Sequence, residues 1–272
     1  MKLDPGDNAF AGSIPALYQS HLVPLIFEPY ATDLAERLQP RSPSRILEVA
    51  AGTGVATRAM ARLLPPTASI VATDLNQAML DQAAAAGTAR AVTWRQADAR
   101  HLPFPDGAFD AVVCQFGVMF FPDKAGTFSE ARRVLRRGGV LLFSVWDTIE
   151  QNEFANTVTT ALEALFPEDP PRFMARTPHG YHDRATISAD LAAAGFERQP
   201  VYETVTKRSK AASARDPAIA YCQGTPLRTE IEARDAEGLE RATMAAAQAI
   251  EQQFGSGPVD GRIQACIVTA EV

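Results

Sequence analysis

The segment from Ile46 to Gly54 constrains the fold of this chain more than any other stretch. Its sequence is Ile-Leu-Glu-Val-Ala-Ala-Gly-Thr-Gly. An apolar run followed by closely spaced glycines predicts a buried strand that ends in a tight turn. Gly52 and Gly54 lack a Cβ atom, so the backbone of this turn can approach a ligand closely. Glu48 adds a carboxylate near the end of the same strand.

Two further acids follow predicted strands. Asp74 ends the strand that begins at Val71, and Asp98 follows the segment from Ala91 to Trp94. Because ligands of open α/β sheets bind at the carboxyl ends of the strands, we expect these acids to face one ligand. Asp74 can accept hydrogen bonds from two ribose hydroxyls, and Asp98 can accept one from an exocyclic amine. The pattern therefore predicts a cofactor that contains a nucleoside.

Two cofactors are compatible with this architecture. A nicotinamide dinucleotide usually requires G-x-G-x-x-G, and Thr57 stands where the third glycine belongs. Glu48 would repel a pyrophosphate at the helix N-terminus, whereas it suits a ligand with an ammonium or a sulfonium group. S-adenosylmethionine carries both groups. These residues favour S-adenosylmethionine and leave a nicotinamide-dependent oxidoreductase as the alternative.

Strands and helices alternate along the first half of the chain. This alternation, with apolar and β-branched strands, predicts an α/β fold with a doubly wound, mostly parallel sheet. Pro15, Pro24 and Pro29 are expected to limit helix length near the start. The predicted strands cover 44–49, 68–73, 90–95, 109–114, 139–146, 201–207 and 263–270, and the predicted helices include 54–63, 76–86, 124–136, 152–166 and 185–194.

Charge and cysteine content exclude several classes of function. The chain has 272 residues and a formal net charge of −6, which disfavours binding to nucleic acid or to an anionic membrane. The three cysteines lack a C-x-x-C spacing, so neither a zinc site nor a disulfide framework is expected, and no metal is predicted. The sequence has no apolar run of membrane-spanning length and no signal peptide at its start, so we expect a cytoplasmic protein. One local basic patch stands out and is expected to be a solvated helix face: Arg132, Arg133, Arg136 and Arg137.

Four ordered blocks resemble the motifs of class I S-adenosylmethionine-dependent methyltransferases. The similarity covers about residues 44 to 147 and is closest to the small-molecule branch, which includes the ubiquinone and menaquinone C-methyltransferases and the type 11 group. Ala50 departs from the commonest pattern, because the family often has glycine there. The blocks are Glu48 to Gly54, Ala72 to Leu80, Ala97 to Asp110, and Arg133 to Leu141.

The resemblance implies a domain organisation. It predicts a seven-stranded Rossmann-like methyltransferase sheet whose last two strands form an antiparallel edge hairpin. Residues 1–40 would form an N-terminal helical cap, 41–147 the cofactor-binding core, and 148–272 the completion of the sheet. Within the last part, about 148–185 and 208–260 would be insertions that cover the substrate.

The resemblance also implies a site and a reaction. Methyl transfer to a small organic acceptor can proceed mainly through proximity and in-line orientation, so the catalytic residues are harder to predict. A protein that binds S-adenosylmethionine without catalysis is a further alternative, and the sequence leaves a homo-oligomer open. The expected cofactor-binding residues are Glu48, Ala50, Gly52, Gly54, Asp74, Leu75, Met79, Asp98, Ala99 and Gln115, and the candidate catalytic residues are Gln115, His179, His182 and Tyr18.

Overall fold

The computed structural model describes Asp7 and residues 12–272. Its strands are β1 (Arg45–Val49), β2 (Ser69–Asp74), β3 (Thr93–Gln96), β4 (Phe109–Gln115), β5 (Leu135–Trp146), β6 (Val201–Ala211) and β7 (Val259–Glu271). Its helices are α1 (Ile14–Leu17), α2 (Glu28–Leu38), α3 (Val55–Leu63), α4 (Gln77–Ala86), α5 (Lys124–Val134), α6 (Glu153–Leu165), α7 (Phe173–Arg176), α8 (Arg184–Ala193), α9 (Arg215–Gln223), α10 (Leu227–Arg234) and α11 (Leu239–Phe254).

The strands form one seven-stranded sheet in the order β3-β2-β1-β4-β5-β7-β6. Strands β1 to β5 pair in parallel. β7 runs antiparallel to β5, since Gly138 N donates to Val272 O at 2.8 Å while Asp147 N donates to Gln264 O at 3.1 Å. The predicted mostly parallel sheet with antiparallel edge strands is confirmed.

The position of β1 in the sheet follows from its composition. Ile46 and Leu47 are fully buried, and β1 pairs with β2 on one side and β4 on the other. Near-continuous apolar sequence is typical of a parallel strand that helices cover on both faces. β1, β2 and β4 consequently end at the same edge of the sheet, which brings the turns after them together.

The helices differ from a simple reading of the sequence in two places. The helical segment from Ile14 continues to Leu38 despite its prolines, because the stretch Tyr18–Phe27, which includes Pro24, is a π-helix. Single π turns accommodate irregular hydrogen bonding that a proline imposes. Helix α5 ends at Val134 rather than at 136, so Arg136 lies on β5 and not on a helix face.

The α5–β5 boundary has a nonlocal cause. Leu135 pairs with Phe109 of β4, and the register shifts before Val140 pairs with Ala111. Gly138 takes a φ of 72° within this irregular stretch, a conformation that glycine adopts at little cost. Pairing with β4 therefore decides where the helix ends, and helix propensity does not.

The chain divides into two compact units. Unit 1 comprises the described residues up to Phe27 together with 146–180 and 205–265, and unit 2 comprises 28–145, 181–204 and 266–272. Unit 2 holds the parallel strands, whereas in unit 1 helix α11 packs on α6 and α9. The predicted division into 1–40, 41–147 and 148–272 stays a prediction.

Unit 1 contains a buried ionic network. Arg176 donates from Nη2 to Asp7 Oδ1 at 2.5 Å and to Glu230 Oε1 at 2.7 Å. The Thr177 hydroxyl donates to the other oxygen of Asp7 at 2.6 Å. Because Asp7 is only 2% exposed, its charge depends on these partners for compensation.

Candidate cofactor-binding site

The turn after β1 has the backbone conformation that its glycines predict. Gly52 and Gly54 have φ values of 56° and 79°. Ala50 also has a positive φ, 54°, which costs a residue with a Cβ atom about 1 kcal/mol or more. The turn is closed by Gly54 N, which donates to Ala51 O at 2.9 Å. The glycine common at this position in the family thus corresponds to a left-handed conformation that alanine adopts here under strain.

Asp74, at the end of β2, joins the two turns of the site. Its Oδ2 accepts from Gly52 N at 2.8 Å, and its Oδ1 accepts from Asn76 N at 2.8 Å. Burial raises the pKa of Asp74, while these backbone hydrogen bonds oppose the rise. Each carboxylate oxygen has two lone pairs, so Asp74 can accept further hydrogen bonds from a ligand.

Glu48 is fully enclosed beneath the glycine turn. Burial raises its pKa to about 8, against the opposing effects of the Thr57 hydrogen bond and the Arg58 charge. The Thr57 hydroxyl donates to Glu48 Oε2. Thr57 therefore fixes the orientation of the carboxylate from the position where a dinucleotide fold has its third glycine.

Two apolar side chains lie beside the glycine turn and Asp74. Leu75 is 52% exposed, which is unusual for a leucine directly after a buried strand. The Met79 Cε atom lies 3.6 Å from the point that a Cβ atom on Gly52 would occupy. An exposed apolar residue beside a carboxylate provides a surface on which a planar base can pack.

Asp98 is engaged by its own neighbour. Arg100 Nη2 donates to Asp98 Oδ2 at 2.7 Å, and its Nε contacts both oxygens at 3.1 Å. This pair holds the pKa of Asp98 below its usual value. Ala97 N donates to Asp74 O at 3.0 Å, which brings the turn of Asp98 and the half-buried Ala99 to the end of β2.

The end of β4 meets the glycine turn. Gln115 is 8% exposed and stands opposite Ser144 of β5. A Cβ atom added to Gly117 would lie 2.5 Å from the Cβ of Ala50, so only glycine allows this approach. Phe116 has a φ of 52°, a second strained residue at the same edge. Backbone strain of this kind is often concentrated at functional sites.

Two residues that complete the turn, Thr53 and Arg58, are not among those predicted from the sequence. The Thr53 hydroxyl is buried and has no hydrogen-bond partner within the described ranges. Arg58 Nη1 donates to Thr53 O at 2.6 Å and so fixes the turn from below. A hydroxyl between two glycines was the available signal for Thr53, whereas the role of Arg58 depends on a contact across the turn.

The candidate catalytic residues fall in different units. Tyr18 and His179 belong to unit 1, whereas Gln115 and His182 belong to unit 2. Tyr18 stacks on Phe27 with ring centroids 5.1 Å apart. The structure thus groups Gln115 alone with the predicted cofactor-binding residues.

His179 is the most enclosed of the candidate bases. It is 5% exposed, and its Nδ1 lies 2.8 Å from Asp147 O. A carbonyl only accepts, so Nδ1 carries the hydrogen and Nε2 of the neutral ring is the basic nitrogen. His179 helps to line a small cavity within unit 1, together with Ile26, Trp146, Asn152, Met174 and Tyr221.

The residues at the sheet edge fit S-adenosylmethionine. Asp74 offers lone pairs to ribose hydroxyls, and the unsatisfied Thr53 hydroxyl offers a donor and an acceptor beside the turn. Leu75 and Met79 offer apolar surface for the adenine. Glu48 lies beneath the glycine turn, where a cationic methionine end would favour its ionised form over the protonated form that burial favours. Neither a cluster of three or more His, Cys, Asp or Glu suited to a metal nor a helix able to cross a membrane occurs within Asp7 and 12–272.

Comparisons with known proteins agree with this geometry. The profile of the family described as "Methyltransferase domain" matches residues 47–143. The ubiquinone/menaquinone biosynthesis C-methyltransferase UbiE of Stutzerimonas stutzeri is 33% identical over 171 residues, which cover 58% of this chain and 67% of that protein. The protein of the same name from Saccharophagus degradans is 32% identical over 180 residues, which cover 61% of this chain and 72% of that protein.

The fold has relatives among solved structures. A putative methyltransferase from Bacillus halodurans superposes with a TM-score of 0.55 at 21% identity, over 89% of this chain and 97% of that one. Together with the sequence relatives, this shows that the chain belongs to the class I S-adenosylmethionine-dependent methyltransferases. Within that class it is similar to the UbiE C-methyltransferases. The prediction of a methyltransferase that uses S-adenosylmethionine is confirmed, against the nicotinamide-dependent alternative.

Proposed function

We propose that this enzyme transfers a methyl group from S-adenosylmethionine to a ring carbon of a small hydroxylated aromatic or quinonoid acceptor. The use of S-adenosylmethionine at this site is supported by the carboxylate of Asp74, which bridges the turns after β1 and β2 through Gly52 and Asn76. The acceptor half is supported by the similarity to two C-methyltransferases of ubiquinone and menaquinone biosynthesis.

When bound, S-adenosylmethionine supplies a methyl group on an electrophilic sulfonium. Asp74 would accept hydrogen bonds from the ribose hydroxyls, and Asp98 with Ala99 would contact the adenine edge. Leu75 and Met79 would pack on the adenine ring. Glu48, with Ala50, Gly52, Gly54 and Gln115, would hold the methionine end. The Asp74 carboxylate is already held by two backbone amides, so its orientation costs little entropy when a ligand binds.

The reaction itself demands little acid–base chemistry. Holding the acceptor carbon in line with the methyl group supplies much of the acceleration. A ring hydroxyl makes a better donor of electrons once it has lost its proton, so a base near the acceptor would help. We propose His179 for this role, because it is one of the candidate bases of the sequence and the backbone carbonyl of Asp147 fixes the orientation of its ring.

Aromatic side chains pack against one another within unit 1. Tyr18 stacks on Phe27, Phe27 lies 6.0 Å from Trp146, and Trp146 lies 6.2 Å from His179, as ring centroids. Phe27 and Trp146 are 6% and 4% exposed, so these rings belong to the core of unit 1. The covering role of 148–185 and 208–260, a homo-oligomer and a cytoplasmic location stay predictions.

The test is a methylation assay with labelled S-adenosylmethionine and a panel of hydroquinones, catechols and aliphatic amines. We expect label on ring carbon, identified by NMR of the product. His179→Asn should lower kcat, whereas the matched variant His182→Asn should retain the kcat of wild type. Label found only on amines would contradict the assigned acceptor. An unchanged kcat in His179→Asn would remove His179 from the role of base.

A further inference from the structure

Two of the four arginines in the basic patch have structural partners. Arg133 donates to Glu130 Oε1 and to Asp106 Oδ1, each at 2.7 Å. Arg136 donates to Asp110. The contact with Asp106 ties α5 to the connection before β4, and the contact with Asp110 ties β5 to β4. They account for Arg133 and Arg136 without any ligand.

The other two arginines have no such partner. Neither the guanidinium of Arg132 nor that of Arg137 forms a hydrogen bond or ion pair with the residues described here. The Nε of Arg132 is buried and lacks an acceptor within the same ranges. A buried donor that is left unsatisfied costs free energy, and a bound anion is a common explanation for one.

Both arginines line one groove of unit 2. The groove encloses about 550 Å³, a volume that suits a small organic ligand. The groove lies where β5 begins, whereas the cofactor-binding residues lie where the parallel strands end. The two sites are therefore at opposite ends of the strands. Its lining residues are Arg132, Arg137, Gly138, Gly195, Glu197, Arg198, Glu271 and Val272.

The backbone of the groove leaves room beside Arg132. Gly195, which follows α8, has a φ of 90°, and a Cβ atom there would lie 3.4 Å from Arg132 Nε. The glycine therefore lets the guanidinium lie against the backbone without a side chain in between. Arg132 is held at the wall of the groove by packing and by no acid of the described chain.

The acids of the groove leave its charge positive. Glu271 accepts from Arg41 at 2.8 Å and from Arg198 at 2.9 Å, and these arginines lower its pKa. The charge of Glu271 is therefore compensated by two arginines. Glu197 is the remaining acid of the lining and is exposed. Among the lining side chains, the three arginines Arg132, Arg137 and Arg198 exceed the two acids Glu197 and Glu271.

We propose that the groove binds the oxyanion group of a small molecule, a phosphate or a carboxylate, through Arg132 and Arg137. Guanidinium groups present planar pairs of donors that match both anions. This site is separate from the cofactor-binding residues and does not depend on the methyl acceptor. Its ligand is a small molecule rather than a nucleic acid, since the net charge of the whole chain is −6.

The test is a titration of the full chain, at low ionic strength, with inorganic phosphate and separately with citrate. Binding is followed by calorimetry and by the NMR signal of arginine Nε–H groups. We expect saturable binding of at least one anion, with a shift of the Arg132 Nε–H signal. Binding of phosphate alone identifies a phosphoryl ligand, and binding of citrate alone identifies a carboxylate ligand.

Three substitutions distinguish binding in the groove from nonspecific attraction of anions to the protein surface. Arg137→Gln changes an exposed side chain and should weaken binding about tenfold or more, the usual effect of losing a charge-assisted hydrogen bond. Arg132→Gln should do the same and remove the shifted signal. Arg62→Gln, which removes an exposed arginine of α3, is the matched control and should leave binding unchanged. No saturable binding to either anion, or equal losses in Arg62→Gln and Arg137→Gln, would overturn the proposal.

Discussion

Replacing Glu48 with glutamine should make the ligand-free protein less sensitive to alkali. Burial raises the pKa of Glu48 from 4.5 to about 8. A carboxyl group whose pKa is higher in the folded state stabilises the fold below its unfolded pKa, and that stability is lost as the pH rises through the folded pKa. The window for this group therefore extends from 4.5 to about 8. Glutamine keeps an oxygen that can accept from Thr57 but cannot ionise.

The size of the effect follows from the two pKa values. Ionisation of Glu48 can lower the free energy of unfolding by at most about 5 kcal/mol. This limit is the difference between about 8 and 4.5, at about 1.36 kcal/mol per pKa unit. Glu48 is 1% exposed, so solvent screening does not reduce this limit much. Between about pH 5 and about pH 8, we expect the free energy of unfolding of wild type to fall by roughly 3 kcal/mol relative to that of Glu48→Gln.

The assay is urea denaturation across this pH range, followed by tryptophan fluorescence. The chain has two tryptophans, and a Trp146→Phe background leaves Trp94, whose ring lies beside Gly54 in unit 2. The unfolding free energies of the two proteins should diverge as the pH rises. Parallel curves would refute the reasoning, because they would mean that Glu48 ionises equally in the folded and unfolded chains.

Three further substitutions test the packing of the site and of unit 1. Ala50→Gly should stabilise the protein by about 1 kcal/mol, because its φ of 54° strains a residue with a Cβ; a lower urea midpoint would contradict this. Gly54→Ala should cost about 2–4 kcal/mol in the same assay, since its Cβ would lie 2.8 Å from the Trp94 ring, and an unchanged midpoint would disprove that contact. Arg176→Met should cost about 3 kcal/mol by leaving Asp7 buried without its cation. Equal thermal stability of Arg176→Met and wild type would show that another group compensates Asp7.

The sequence predicted the sheet and the carboxylates at its edge because both depend on local patterns. A buried strand, a glycine turn and an acid directly after a strand are all visible in a few consecutive residues, as at Glu48, Gly52 and Asp74. The structure adds that Asp74 is held by the amides of Gly52 and Asn76. The bond to Gly52 spans 22 residues of the sequence, whereas the bond to Asn76 is local and spans two.

Other features were beyond local patterns. The start of β5 at Leu135 depends on pairing with Phe109, so helix propensity misplaced Arg136 and Arg137. The distinction between paired and unpaired arginines in the basic patch likewise depends on where Asp106 and Asp110 lie after folding. The acceptor is harder still to predict, because methyl transfer by proximity needs no fixed set of catalytic side chains.

The most direct test of the account is calorimetric titration with S-adenosylhomocysteine, with NADH as the control ligand, of wild type and of two matched variants. Asp74→Ala removes the carboxylate at the cofactor edge, and Asp81→Ala removes an exposed acid of α4. We predict that wild type and Asp81→Ala bind S-adenosylhomocysteine alike, that Asp74→Ala binds it about 1–3 kcal/mol more weakly, and that none binds NADH. Unchanged affinity in Asp74→Ala, or binding of NADH instead, would contradict the assignment of this edge as the S-adenosylmethionine site.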